Sequence, residues 1–329
     1  MLILPDGSER EISRAGRPSV LEQKKVLKLA ARWGVDAVVC EMMSIKSDCL
    51  KAESHSLLRP QVLLITNVRL DHIDDMGGTK AAVAQSMATA IHAGCTVLVP
   101  EEECYPAFEE AAERAGARVL RIPPGPFPED SAGGRAESRP EFEENRNLAL
   151  AAAGFLGVDR ETGRRGIEKS RPDFGSLKVW KLRLDCPSRI WYAASLFAAN
   201  DPESSGRALF HLQSLDIAFP SRTIGLLNLR QDRGDRTLQW FRVLETNFFL
   251  GFQRLVFIGD HASALDRRKK WAVYPGLQVS ALPDRDSRAI MAKLAAGEPG
   301  DALIVGLGNM GGLGEDLVEY WAQAGETVS

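Results

Sequence analysis

The most informative segment of this chain reads Ile65-Thr66-Asn67-Val68-Arg69-Leu70-Asp71-His72-Ile73-Asp74-Asp75-Met76-Gly77-Gly78. It follows a short apolar run, residues 62–65, whose length suits a buried strand. Acidic side chains and a histidine come just after that run, and a glycine pair that predicts a turn closes the segment. Because open α/β sheets bind ligands at the carboxyl ends of their strands, these hard, charged groups predict a site for Mg²⁺ and phosphate.

The preceding part of the chain has the same pattern. Residues 36–40, which are apolar after Asp36, lead directly into Glu41. Two parallel strands are therefore expected to end in carboxylates at one crevice. A simpler interpretation also stays open, in which Asp71 caps a helix and His72 only fills a turn.

The composition narrows the class of protein. Hydrophobic residues make up 44% of the chain and charged residues 26%, which is typical of a globular protein, and 329 residues predict two domains. A formal net charge of −3 gives no reason to expect nucleic acid as a partner. No run reaches the roughly 18 apolar residues of a membrane-spanning helix, and five cysteines without a Cys-x-x-Cys pair predict reduced thiols in a cytoplasmic protein.

Strand and helix patterns alternate along the chain. A loop rich in Pro, Gly and acids over residues 123–144 precedes an alanine-rich helix that opens near Asn145. From about Gly175, residues 177–184 and 189–198 alternate as a hairpin. Three apolar runs then alternate with helical patterns, and they predict parallel strands near residues 223–227, 255–258 and 302–305.

Several stretches agree in order and spacing with one known family. They are Glu41 after an apolar run, Thr66-Asn67-Val68-x-x-Asp71-His72-x-Asp74, Phe197-Ala198-Ala199-Asn200-Asp201, residues 228–237, and Gly306-Leu307-Gly308-Asn309. They resemble the Mur ligase superfamily and, within it, the poly-γ-glutamate synthase ligase subunit of capsule biosynthesis. The resemblance implies an α/β fold: a Mur-ligase-type parallel-sheet central domain without its first strand and phosphate loop over residues 1–174, then a smaller Rossmann-like C-terminal domain over residues 175–329.

The same resemblance implies an ATP-dependent amide ligase. ATP would phosphorylate the terminal carboxylate of a poly-γ-glutamate chain, and the amine of an incoming glutamate would attack the acyl phosphate. Membrane subunits of a synthase complex are implied partners, so a cytoplasmic position at the inner face of the membrane is expected through them.

The resemblance also implies the site residues of the first domain. Asp71 and His72 would be catalytic, with Mg²⁺ held near Glu41 and His72. Asn145 would read the adenine ring of ATP. The alternative for Asn145, and for Asn147, is that the side chain only caps the helix.

In the second domain, Arg233 and Arg236 are spaced to clamp a phosphate or carboxylate, and Asp232 to accept from a ribose hydroxyl. The alternative is an ion-paired surface turn. Asn200 and Asp201 would orient substrate, unless Asp201 is only a helix cap.

One departure from the family bears on activity. The pair Gly-Lys occurs nowhere in the chain, so the usual Gly-x-x-x-x-Gly-Lys-Ser/Thr phosphate loop has no counterpart. We expect the chain alone to be inactive and the loop to lie on an upstream segment or a separate chain. Two alternatives remain: a non-catalytic scaffold, and a nucleotide-dependent oxidoreductase that uses Gly306-x-Gly308-x-x-Gly311. The second is weak because no strand is expected after Gly311 to complete the unit.

Overall fold

A computed structural model describes residues 2–14, 19–125, 143–170, 176–183, 189–244, 246–249, 251–260, 262 and 276–328. These residues form two compact units, the first ending with Glu143–Lys169 and the second running from Ser170. The predicted domain boundary between residues 174 and 175 lies outside the described residues, as does most of the predicted loop over residues 123–144. No helix in the described ranges is long and apolar enough to cross a membrane.

The first unit combines a small parallel sheet with helices. Its strands are β1 (Leu2–Ile3), β2 (Glu9–Arg10), β3 (Val62–Leu64), β4 (Thr96–Pro100) and β5 (Arg118–Ile122). Its helices are α1 (Val20–Trp33), α2 (Ser47–Ala52), α3 (Ile73–Met76), α4 (Lys80–Ala88), α5 (Pro106–Ala115), α6 (Glu143–Phe155) and α7 (Arg160–Lys169). A π-helical turn, Glu53–Leu58, continues α2. Strands β3, β4 and β5 pair in parallel in that order, while β1 and β2 form an antiparallel pair.

Local signals in the sequence set the ends of α1. The Ser19 hydroxyl accepts a hydrogen bond from the Leu21 N–H, and Gly34 ends the helix at a left-handed φ of 64°. A left-handed residue at this position suits glycine because it has no Cβ to clash with the last turn.

The predicted strand over residues 36–40 does not form. These residues are irregular, and Val39 is 83% exposed. Strand β3, which would be their neighbour, pairs with β4 and lies at the edge of its sheet. An apolar run becomes a strand only where its backbone has ladder partners, so Glu41 is carried by a loop and not by a strand end.

The second unit is a doubly wound α/β structure. Its strands are β6 (Lys178–Leu182), β7 (Trp191–Ser195), β8 (Thr223–Leu229), β9 (Arg254–Gly259), β10 (Gln278–Ala281), β11 (Ala302–Gly308) and β12 (Gly325–Thr327). Its helices are α8 (Pro202–Ser214), α9 (Gly234–Val243), α10 (Ser287–Gly297) and α11 (Leu313–Ala324). The strand order is β10-β9-β8-β11-β7-β6-β12.

The strand pairing of this unit follows the predicted pattern, and two strands that were not predicted, β10 and β12, are added to the sheet. The hairpin of β6 and β7 is confirmed as antiparallel, although its turn, residues 185–188, lies outside the described residues. Strands β7, β11, β8, β9 and β10 are parallel neighbours. The expectation that no strand follows Gly311 is wrong, because β12 pairs antiparallel with β6. Its sequence, Gly-Glu-Thr, has no apolar alternation, so only the ladder offered by β6 makes it a strand.

Both faces of this sheet are buried. One face packs around Trp240 of α9, and the other around Trp321 of α11, which stacks on Phe197 at a centroid distance of 5.7 Å. Burial on both faces explains why β8, β9 and β11 read as continuous apolar runs.

Candidate functional site

The loop that follows β3 is fixed by a carboxylate from the end of the neighbouring strand. Glu103, in the turn after β4, accepts a hydrogen bond from the Val68 N–H at 3.0 Å. The same carboxylate forms an ion pair with Arg69, and both side chains are about nine-tenths buried. A buried ion pair that also satisfies a backbone N–H holds a loop in one conformation, so residues 66–70 have a defined path.

Asp71 and His72 lie at the end of this loop. His72 has a left-handed φ of 51° and begins α3, and its N–H donates to Asp71 Oδ1 at 2.9 Å. The other carboxylate oxygen, Asp71 Oδ2, lies 3.7 Å from His72 Nε2. Asp71 therefore accepts a hydrogen bond within the turn that precedes α3, and His72 is the N-cap of that helix. A left-handed φ at a histidine is nevertheless uncommon, and such positions concentrate at functional sites.

Glu41 lies in an irregular loop that Gln23 and Glu53 hold in place by hydrogen bonds. The Glu41 side chain is exposed, while its carbonyl accepts from Gln23 Nε2 at 2.7 Å. Glu53 accepts from the N–H groups of Met43 and Ser44 at 2.9 and 2.8 Å. Burial by itself would raise the pKa of Glu53, but hydrogen bonds from Ser44, Met43 and Gln23 hold that pKa below its usual value. Glu53 is therefore an ionised anchor for the loop that presents Glu41.

The side chains near Glu41 and His72 can be compared with the ligands that Mg²⁺ prefers. Among the described residues, no three His, Cys, Asp or Glu side chains are grouped to hold a metal ion. Mg²⁺ is commonly held by one or two carboxylates together with substrate phosphates and water. An exposed carboxylate such as Glu41 fits that chemistry, whereas the imidazole of His72 is a less usual ligand for a hard cation. Glu41 and His72 as metal ligands stay a prediction.

The two asparagines of α6 differ in their surroundings. Asn145 is exposed, whereas Asn147 is buried and donates through Nδ2 to the Gly125 carbonyl at 2.9 Å. Asn147 also lines a small cavity with Glu101 of the segment after β4 and Ile122 at the end of β5. Helix α6 begins at Glu143, so neither asparagine is its N-cap. The adenine role of Asn145 stays a prediction.

In the second unit, polar groups meet where β8 and β11 end. Asn228 Nδ2 donates to the Asn309 carbonyl at 2.6 Å, and Asn309 Nδ2 donates back to the Asn228 carbonyl at 3.0 Å. Arg236 of α9 is buried, and its Nη1 donates to Asn309 Oδ1 at 3.0 Å. The guanidinium of Arg236 is thus held by a fixed partner at the carboxyl edge of the sheet.

Close to these residues, a second arginine is paired on the surface. Arg230 donates through Nε and Nη2 to the two carboxylate oxygens of Asp232 at 2.9 and 2.8 Å. These hydrogen bonds hold the pKa of Asp232 below its usual value. The surface turn predicted as the alternative to a phosphate clamp does contain an ion pair, formed by Arg230 and Asp232. Arg233 is half-buried at the start of α9.

The glycines of the Gly306-x-Gly308-x-x-Gly311 pattern make room for the protein's own atoms. A Cβ on Gly308, where φ is 90°, would lie 2.5 Å from the Asn228 carbonyl oxygen. A Cβ on Gly306 would meet the ring of Phe197, and one on Gly311 would lie 2.0 Å from Arg230 Nη1. Because these spaces are filled by side chains and backbone, the pattern reflects close packing of a turn and gives no support to a dinucleotide site.

Asn200 and Asp201 follow β7 at the same edge. Asp201 is buried and is the N-cap of α8, since its Oδ1 accepts from the Ser204 N–H at 3.0 Å. Asn200, one residue earlier, is half-buried. The capping interpretation of Asp201 therefore describes its contacts, and a substrate role for either residue stays a prediction.

Sequence reasoning assigned no role to the residues that hold these loops in place. They are Gln23, Glu53 and Glu103 in the first unit, and Asn228, Arg230 and Asn309 in the second. The sequence does contain a signal for Asn228 and Asn309, because each is a polar residue at the end of an apolar run. Glu103 gave no such signal, since its role depends on the pairing of β3 with β4.

Comparison with known proteins gives matches along most of the chain. Residues 183–324 match the family "Poly-gamma-glutamate synthase CapB C-terminal domain". Over 303 residues, or 92% of the chain, it is 28% identical to the capsule biosynthesis protein CapB of Bacillus anthracis. Over 313 residues, or 94% of the chain, it is 27% identical to the PGA synthase CapB of Bacillus subtilis (strain 168). The chain spans 63% of the length of the first relative and 77% of the second.

Solved structures share the fold. Escherichia coli FolC, in complex with ADP, has a TM-score of 0.55 and 17% identity over 80% of this chain and 62% of its own. MurF from Acinetobacter baumannii has a TM-score of 0.50 and 16% identity over 83% and 62%. A Yersinia pestis folylpolyglutamate synthase/dihydrofolate synthase, complexed with AMPPNP and a Mn ion, has a TM-score of 0.50 and 14% identity over 80% and 61%. These similarities confirm the predicted Mur-ligase-type α/β fold, and the family match and the two relatives show that the chain is similar to poly-gamma-glutamate synthase CapB proteins.

Proposed function

We propose that this chain is the ligase component of poly-γ-glutamate synthesis for a capsule. The reaction would be amide formation through an acyl phosphate, with ATP as phosphoryl donor, glutamate as incoming amine and membrane subunits of a synthase complex as partners. The observation that carries the proposal is the CapB C-terminal domain match over residues 183–324, which contain the hydrogen-bonded residues Asn228, Arg236 and Asn309.

The first unit would serve as the central domain that handles Mg²⁺ and the phosphates. Mg²⁺, when bound, supplies positive charge that offsets the negative charge developing on the transferred phosphoryl group. Glu41 would provide an oxygen ligand from the loop that Glu53 anchors. His72 would provide the second ligand, and Asp71 would maintain its backbone position through the hydrogen bond to the His72 N–H.

The second unit would contribute positive charge and substrate contacts as the C-terminal ligase domain. Arg236 is preorganised by Asn309, so it can meet an anion without losing side-chain freedom at that moment. Asp232 would reach a ribose hydroxyl only if its pair with Arg230 opened. Asn200 would orient substrate from the loop that the Asp201 cap fixes at the start of α8. Arg233, and Asn145 in the first unit, would contact ATP.

The phosphate loop would come from an upstream segment or a separate chain, since Gly-Lys is absent from these 329 residues. We expect this chain alone to show no glutamate-dependent ATP hydrolysis. Adding a segment that carries Gly-x-x-x-x-Gly-Lys-Ser/Thr should restore phosphate release and polymer formation.

The reconstituted assembly also tests the site. We expect Glu41→Gln and His72→Ala to lower kcat at least about a hundredfold, the usual effect of losing a positioned charge or metal ligand. Glu113→Gln, an exposed carboxylate on α5, is the matched control and should leave kcat unchanged. Near wild-type rates in both site variants would show that the metal lies elsewhere.

A non-catalytic scaffold is the second candidate, and the missing Gly-Lys pair favours it. It predicts that no phosphate-loop segment restores turnover, although the chain still binds other members of the synthase. Restored turnover that depends on Glu41 would exclude it.

A further inference from the structure

The second unit has a groove at the amino ends of its parallel strands. Asn228 and Asn309 lie at the opposite, carboxyl ends. The groove lies between α10 and α11, has a volume of about 590 Å³, and is lined by Arg183, Arg189 and Arg288. Arg183 directly follows β6, and Arg189 lies two residues before β7, at the amino end of the parallel strands. A seven-residue strand such as β8 separates the two edges by roughly 20 Å.

Few ion pairs offset the positive charge of the arginines in this groove. Arg288 is exposed and makes no hydrogen bond or ion pair with any described residue. Within the described part of the chain, the Arg183 side chain pairs only with Glu326, at 3.8 Å, and both side chains are more than two-thirds exposed. An exposed pair of this kind contributes about 1 kcal/mol at most, so it neutralises the groove poorly.

Arg189 is preorganised to face the groove. Its Nη1 donates to the carbonyls of Ala295 and Glu298, each at 2.7 Å, and its Nε is buried and has no hydrogen-bond partner among the described residues. The carboxylate of Glu298 is already bound by Arg222 at 2.9 and 2.8 Å and by Arg254 at 3.2 Å. Arg189 therefore contacts the Glu298 backbone, while the Glu298 carboxylate pairs with Arg222 and Arg254.

The rest of the groove combines apolar and hydrogen-bonding surface. Met291, Ala292 and Ala295 of α10 supply the apolar part, and Tyr320 and Gln323 of α11 supply polar groups. Among the described residues, no acid lines the groove. Guanidinium groups around a partly apolar groove suit a ligand with carboxylates separated by methylene groups.

We propose that this groove binds the poly-γ-glutamate chain as a polycarboxylate, away from the end that reacts. The inference rests on the proposed function for the identity of the polymer. A holding site remote from the strand ends would retain the product between additions, and it would act on the KM for polymer and not on kcat.

Binding can be measured on this chain without ATP. We would follow the fluorescence anisotropy of labelled poly-γ-glutamate against wild type and the double variant Arg183→Gln, Arg288→Gln. The matched control is Arg32→Gln, Arg242→Gln, two exposed arginines on α1 and α9 that make no ion pair with described residues. The groove variant should bind at least about tenfold more weakly, as expected for two lost charge-assisted contacts, while the control should bind as wild type. Circular dichroism would establish that all variants are folded.

Three results would overturn the inference: no binding by wild type, equal loss in both double variants, or tighter binding of a single-stranded polynucleotide than of poly-γ-glutamate. The first two would show that the arginines form no specific site, and the third that the ligand is not a polycarboxylate. Because ATP is absent, none of these results depends on whether the assembled enzyme turns over. The ligase proposal therefore stands or falls separately.

Discussion

Two carboxylates, Glu53 and Glu103, hold the loops of the first unit that carry Glu41 and Asp71. Glu53 accepts the N–H groups of Met43 and Ser44, and Glu103 accepts the N–H of Val68, 35 residues away in the sequence. Although burial alone would raise the pKa of Glu53, hydrogen bonds from Ser44, Met43 and Gln23 hold that pKa below its usual value, and the low local dielectric strengthens these bonds. Such residues act through the loop they hold, so we expect their loss to lower the free energy of unfolding more than it changes the catalysed reaction directly.

Glu53→Gln should lower the free energy of unfolding by about 1–3 kcal/mol at neutral pH, because a charged acceptor for two backbone N–H groups is lost. The pKa of Glu53 is lowered in the folded state. Its contribution is therefore complete above the unfolded-state value of about 4.3 and disappears as the pH falls through the folded-state value. Urea unfolding over a pH series measures the difference, which should shrink in acid. Glu113→Gln is the control, and a difference that is independent of pH would contradict the prediction.

Arg236→Lys should cost about 1–3 kcal/mol of stability, since lysine cannot reproduce the fixed, buried contact to Asn309 Oδ1. Arg242→Lys on the same helix is exposed and should change stability by less than about 0.5 kcal/mol. Chemical denaturation of both variants measures the contrast. Equal stabilities would mean that the guanidinium of Arg236 is not held by Asn309 in solution.

At the scale of secondary-structure elements, the ends of β8 and β11 are joined by backbone as well as side chains. The Asn309 N–H donates to the Asn228 carbonyl at 3.1 Å, and Gly308 approaches that same carbonyl too closely for any Cβ. The polar edge of the second unit therefore depends on a glycine with positive φ.

Gly308→Ala should destabilise the second unit by about 3 kcal/mol or more, since a left-handed φ and a backbone clash act together. Gly276→Ala is the control for φ alone: its φ is 97°, and no described atom lies within 4 Å of a Cβ built there. It should cost about 1–2 kcal/mol. Thermal unfolding of the two variants measures the difference, and equal costs would show that the close approach to Asn228 relaxes freely.

At the scale of the whole molecule, each compact unit has a core of its own. The core of the second unit covers both faces of its sheet and includes Trp180, Trp191, Trp240 and Trp321, all nearly inaccessible to solvent. A unit with a complete core is expected to fold by itself.

Residues 170–329 expressed alone should therefore unfold cooperatively. The measurement is a thermal melt followed by tryptophan emission, which should be blue-shifted in the folded state because these tryptophans are buried. A broad transition with binding of a hydrophobic dye would show that this unit requires the first for its stability.

The sequence by itself determined the elements whose signals are local. The cap Ser19 and the stop Gly34 define α1, and the apolar runs of β4, β8, β9 and β11 predict buried parallel strands. The resemblance in residues 66–74, 197–201, 228–237 and 306–309 predicted the Mur-ligase-type fold, which the solved structures share. These features depend on a few neighbouring residues, so periodicity and capping are sufficient to find them.

Only the tertiary structure decided which residues hold the candidate sites together. Residues 36–40 read as a strand but lack a ladder partner, whereas β12 lacks a strand pattern and gains one from β6. The bond between Arg236 and Asn309 joins positions 73 residues apart. Backbone pairing and buried polar contacts of this kind are formed between segments distant in the chain, so no local pattern records them.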